Sequence, residues 1–220
     1  MSADAFYTSG QRAMQQELGT EKLADAVYAS IVSDTIDDAA KGFIESRDFF
    51  FLATVDRNGM PTVSYKGGAV GVAHVESPTT LIFPSYDGNG MFKSMGNAAE
   101  TGQAGLLFID METPHRVRVQ GRCTVSKDDP ALARYPAANL LVRMQVESCF
   151  INCARYIHKH QRVSQSPYVP NEAGQQPHPS WKRIDAVQDA LPEVDRKRTE
   201  EEGGPITPDD YIEKLQKGVS

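Results

Sequence analysis

FFFLATVDRNGMPTVSYKGG, residues 49–68, is the stretch that decides the fold. Phe49 to Val55 is a short, aromatic-rich and nearly unbroken apolar run, which predicts a buried strand rather than a helix. Asp56-Arg57-Asn58-Gly59 supplies a turn, because Asn-Gly tolerates the positive φ that a tight hairpin demands. Pro61 to Lys66 reads as the return strand, and Gly67-Gly68 ends or bulges it.

Working outward, TLIFPSYDGNGMFKSMGN (80–97) reads as a strand, an exposed loop and a short helix over Met91 to Glu100. Residues 69–75 and 79–84 read as strands about a Ser77-Pro78 turn. AGLLFIDMETPHRVRVQG (104–121) reads as a buried strand and then an alternating one. Val117 and Val119 fall on one face and Arg116, Arg118 and Gln120 on the other, with Gly121 as a bulge. Leu140, Val142, Met144 and Val146 repeat the alternation, and Cys153 to His160 reads as a closing helix. Upstream, helical spacing over 20–46 predicts two helices, capped by Thr20 and begun by Thr35.

From about Gln165 prolines crowd in and apolar residues thin out. That composition predicts an extended arm over 165–205 rather than a second core. Thr207-Pro208-Asp209-Asp210 then opens a last short helix. The expected organisation is a helical leader (1–40), a barrel (41–164) and a C-terminal arm (165–220). Many short strands with few helices favour a mainly β fold with flanking helices, a small antiparallel barrel.

The 220 residues carry a net charge of −6, which argues against nucleic acid as a partner. Three cysteines are too few for a disulfide scaffold, and no apolar run is long enough to span a membrane. The start lacks an apolar signal-peptide core, so the expected location is cytoplasmic.

Three clusters suit an anion. Ser64, Tyr65 and Lys66 precede the flexible Gly67 and Gly68. Ser85, Asn89, Lys93 and Ser94 surround a helix start, where unpaired N–H groups favour negative charge. Arg116 and Arg118 share a strand face, and their planar guanidinium groups suit phosphate. Each has a plainer reading as a solvated or capping group. Cys149, Cys153, His158 and His160 lack a standard zinc spacing, so no metal is expected. No nucleophile triad or phosphate loop is evident.

FFLATVDRNGMPTVSYKGG, FPSYDGNGMFKSMGN, LLFIDMETPHRVRVQG and NCARYIHKH together resemble the pyridoxamine 5'-phosphate oxidase-like, FMN-binding split-barrel family over about residues 40–160. FYTSGQRAMQQELGTEKLAD (6–25) resembles a branch with a helical leader. The resemblance implies a split barrel and a homodimer with two FMN sites at its interface. It implies flavin contacts from Ser64, Tyr65, Lys66, Gly67 and Gly68, and from Phe83, Pro84 and Ser85. It places the phosphate near Asn89, Met91, Lys93 and Ser94, with Arg116 and Arg118 contributing from a later strand.

The chain departs from the oxidase pattern in three places. Ser64 stands where the oxidase has Arg, Ala69 lies near the place of the oxidase's substrate-binding Lys, and PHPSWKRIDAVQDALPEVDRKR (177–198) holds no Arg-x-His. The implied activity is therefore an FMN-dependent oxidoreductase acting on a small molecule other than pyridoxamine phosphate, with an electron donor such as NAD(P)H. The alternatives are a flavin carrier without turnover, a haem-binding barrel using His158 or His160, or an F420-binding one.

Overall fold

The computed structural model describes residues 2–218. They fall into two compact units, divided after Gln165.

The first unit begins with α1 (Ala3–Phe6), α2 (Ser9–Glu17) and α3 (Glu21–Ile31), followed by β1 (Val32–Ser33) and α4 (Asp38–Glu45). Then come β2 (Phe49–Val55), β3 (Pro61–Gly67), β4 (His74–Ser77), β5 (Thr80–Tyr86), α5 (Lys93–Thr101), β6 (Gln103–Asp110), β7 (His115–Ser126) and β8 (Ala138–Ile151). The strands form one eight-stranded sheet, in the order β3-β2-β6-β7-β8-β5-β4, with β1 added to β8. Every named pairing is antiparallel.

The expected hairpin forms with Phe49 opposite Gly67 and Val55 opposite Pro61. Asp56 Oδ1 accepts from the backbone N–H of Asn58 and Met60, and Gly59 takes φ 83°, so the turn chemistry fixes the register. The period of two then sorts the side chains. Phe50, Leu52 and Thr54 are buried, while Phe49, Phe51, Ala53 and Val55 face outward and stay partly exposed. Phe50 packs on Phe83 and Phe108 at centroid separations of 5.1 and 5.2 Å, the aromatic centre of a core that takes in Leu81, Leu106, Val117, Val119, Val142 and Met144. Burying each such side chain contributes about 1.5–3 kcal/mol.

β7 alternates as expected, with Val117 and Val119 buried and Arg118 and Gln120 exposed. The β7–β8 register shifts between Gln120 and Gly121, the bulge expected at that glycine. A Cβ at Gly121 would lie 2.0 Å from the Gln145 carbonyl oxygen, so only glycine lets β8 approach there.

Several expectations are corrected. β4 starts at His74, because residues 69–73 turn instead, with Gly71 at φ 80° and its N–H bonded to the Arg47 carbonyl. The cap of α4 is Asp37, whose carboxylate accepts from Ala40 N–H, and Thr20 makes no capping bond to α3. Cys153 to His160 is not helical: Tyr156 takes φ 70°, and His160 N–H bonds instead to the Met111 carbonyl. The N-terminal segment contacts the sheet. Phe6 packs edge-on against Phe150 of β8, and β1 pairs with the same strand.

The second unit is not an extended arm. Residues 180–183 and 185–190 form 3₁₀ turns, followed by α6 (Glu193–Glu201) and α7 (Pro208–Gln216). The expected cap of the last helix is present, with Thr207 and Asp210 forming a reciprocal capping box. Ile184 bridges to Ile206, closing the unit on itself. The arm expectation fails because α6 has no apolar stripe; it packs through buried Thr199 and an Asp195–Lys182 ion pair.

Candidate functional site

Edge strand β3 and helix α5 define a cleft. Thr62, Ser64 and Lys66 sit opposite Thr54, Leu52 and Phe50, so they share the inward side of the sheet. Tyr65 and Val63 point the other way, 62% and 69% exposed. α5 lies on that inward side, pinned by Asn97 Nδ2 donating to Thr54 Oγ1 at 3.3 Å and by Thr101 Oγ1 donating to the Val55 carbonyl at 2.9 Å.

Between them lies a cavity of about 310 Å³, lined on one wall by Thr62, Ser64, Lys66 and Ser85, and on the other by Asn89, Lys93 and Ser94. Lys66 Nζ donates to Ser94 Oγ at 3.0 Å across the cleft. Burial lowers the Lys66 pKa from its ordinary value. A half-buried ammonium with a hydroxyl as its hydrogen-bond partner gains most from an anion. The start of α5 adds to this. No side chain caps it, and Phe92 at the cap takes φ 47°, a left-handed conformation costly for a non-glycine residue. The donor set is therefore two ammonium groups, several hydroxyls, the Asn89 amide and an uncapped helix end, which matches the chemistry of a phosphate.

The fold thus unites two of the three expected clusters. Ser64, Lys66, Ser85, Asn89, Met91, Lys93 and Ser94 all line the cleft. Tyr65 does not. It stacks on Phe49 across the outward face, at 5.2 Å and 15° between planes. Gly67, Gly68, Phe83 and Pro84 are also outside the lining, and Phe83 is a core residue. A Cβ at Gly68 would meet Val72 at 2.7 Å, so this glycine serves packing. Arg116 and Arg118 lie on β7, away from this cleft of their own chain. Arg116 Nε is buried without a hydrogen-bond partner among the described residues. Sequence reasoning missed Thr62, Tyr86, Phe92 and Met95. Thr62 was discoverable from the period of two shared with Ser64 and Lys66.

The family model described as pyridoxamine 5'-phosphate oxidase matches residues 36–166, more than half of the chain. The chain belongs to the pyridoxamine 5'-phosphate oxidase family. Its sheet and flanking helices are the split barrel of that family, and the cleft lies inside the matched segment. No curated protein matches the chain. Among solved structures, HupZ from Group A Streptococcus is 19% identical, covering 57% of this chain and 99% of that one, at a TM-score of 0.44. An FMN-binding protein from Syntrophomonas wolfei is 18% identical, with 64% and 97% covered, at a TM-score of 0.43. An F420 reductase is 16% identical, with 50% and 94% covered, at a TM-score of 0.38. No helix among the described residues is long and apolar enough to cross a membrane.

Proposed function

We propose that this member of the family is an FMN-dependent oxidoreductase that works as a homodimer on a small molecule other than pyridoxamine phosphate. The observation that carries the reading is the Lys66–Ser94 pair facing the uncapped start of α5. Lys66, Ser94 and Lys93 would hold the phosphate, with Ser64, Thr62 and Asn89 supplying further polar contacts along the cleft. Bound FMN would supply hydride and single-electron transfer. The chain's own residues bind and orient. Lys66 neutralises the anion, the α5 N–H groups fix its position, and Asn97 and Thr101 hold α5 to β2.

The outward face of β2 and β3 supports the dimer. Phe49, Phe51, Val63 and Tyr65 make an apolar surface on a sheet edge, which a second copy would cover. In that arrangement Arg116 and Arg118 would serve the flavin site of the partner, since they do not line the cleft of their own chain. Ser64 in place of the oxidase's Arg, and a 177–198 stretch without Arg-x-His, support a substrate other than pyridoxamine phosphate.

The test is anaerobic. Protein loaded with FMN should be bleached at its flavin absorbance band by NADH or NADPH and regain it with an acceptor. FMN bound tightly but never reduced would leave a carrier and overturn the oxidoreductase. Mass identification of the released cofactor as F420 or haem would overturn the flavin.

A further inference from the structure

The C-terminal unit carries a buried polar cluster unrelated to the flavin cleft. His178, Lys182 and Thr199 are 4%, 4% and 0% exposed. His178 Nε2 lies 3.1 Å from Thr199 Oγ1, and Thr199 Oγ1 donates to the Lys182 carbonyl at 3.4 Å. With the hydroxyl proton committed to that carbonyl, Nε2–H is the donor to Thr199. Nδ1 is then the unprotonated nitrogen, and it is buried without a partner among the described residues. The opposite tautomer would bury an N–H with no acceptor, which is the costlier orphan.

Two elements pack against the ring. The 180–183 turn brings Lys182, whose Nζ is paired with Asp195 Oδ2 at 2.9 Å. Helix α6 brings Asp195, Arg198 and Thr199, and its C-terminal cap brings Glu202. Arg198 Nη2 also donates to the Gln176 carbonyl, tying the segment before His178 to the helix.

We propose that His178 is an acid-sensitive latch of the C-terminal unit: neutral, it joins the 180–183 turn to α6, and its protonation at Nδ1 releases α6 while the barrel stays folded. A proton on Nδ1 would create a buried charge and a buried N–H with no acceptor, next to the cations Lys182 and Arg198. Asp195, engaged by Lys182, offsets this only in part. Burial first, and Arg198 second, lower the His178 pKa from its ordinary 6.5; Glu202 and Asp195 oppose the shift without reversing it. The sign follows. A base with a depressed pKa contributes stability that is complete above 6.5 and is lost as pH falls from 6.5 through the folded pKa.

Hydrogen exchange on the full chain tests this, corrected for intrinsic rates, between about pH 8 and pH 5.5. The expected result is protection over 178–201 that falls up to about tenfold per pH unit inside that window, with β6, β7 and β8 unchanged. In His178→Gln, which keeps a donor for Thr199 but cannot titrate, the dependence disappears. Unchanged protection in the wild type, or the same dependence in the variant, would overturn the latch. If the variant leaves 178–201 unprotected at every pH, the wild-type imidazole titration decides by NMR: titration below 6.5 supports the latch, and titration at or above 6.5 overturns it.

Discussion

Lys66 Nζ donates to Ser94 Oγ at 3.0 Å, joining the edge strand β3 to the first turn of α5. The two residues are far apart in sequence and meet because each is set by a local rule. Lys66 is directed by the two-residue period of β3, and Ser94 by the turn of helix that follows β5. Their contact joins two separate polar clusters across one cleft, the proposed anion cradle.

The half-buried ammonium gives the proposed cradle a pH dependence. Burial moves the Lys66 pKa down from the ordinary 10.5, so the cation is lost at a lower pH than on a free lysine. FMN affinity should weaken as pH rises toward that lowered pKa, and in Lys66→Arg the decline should vanish, because guanidinium stays charged. Flavin fluorescence titrations at stepped alkaline pH measure it. A flat profile in the wild type contradicts the assignment of Lys66.

The homodimer proposal allows complementation. An Arg116→Ala chain and a Lys66→Met chain should each bind flavin poorly alone. Mixed in one dimer, they should yield one intact site from two defective chains, read as FMN bound per dimer. No recovery on mixing would show that both residues act within one chain.

Gly121→Ala should destabilise the barrel by about 1–3 kcal/mol, as overpacking does in tight cores. The new Cβ would fall 2.0 Å from the Gln145 carbonyl oxygen, which is backbone and cannot rotate away. Urea unfolding followed by circular dichroism checks this, and an unchanged midpoint would show that the bulge relaxes.

Phe108→Ala removes a fully buried ring that packs on Phe50. The expected cost is about 3–5 kcal/mol, measurable as a lowered midpoint in the same unfolding experiment.

Much of this was legible in the sequence because the first unit follows local rules. The Asn58-Gly59 hairpin, the alternation of Val117 and Val119, and the Gly121 bulge are each written within a few residues. The site was half legible. Ser64 and Lys66 line the cleft together, but Tyr65, grouped with them, points to the opposite face, as successive strand residues do. Arg116 and Arg118 lie on the later strand expected of them, but they do not line the cleft of their own chain. The second unit was missed because its cohesion lies in a buried ion pair, a histidine and a threonine rather than in an apolar stripe. Contacts of that kind leave no periodic signal.

The most direct test of the central claim is a flavin fluorescence titration of cofactor-stripped protein with FMN and with riboflavin, in the wild type and in Lys66→Met. If the β3–α5 cleft holds a phosphate, the wild type prefers FMN. Lys66→Met should then lose about tenfold to a hundredfold in FMN affinity, the loss of a hydrogen bond to a charged group worth roughly 1.5–3 kcal/mol, with riboflavin affinity little changed. Equal affinity for the two ligands in the wild type, or FMN binding untouched by the substitution, would contradict the assignment of this cleft.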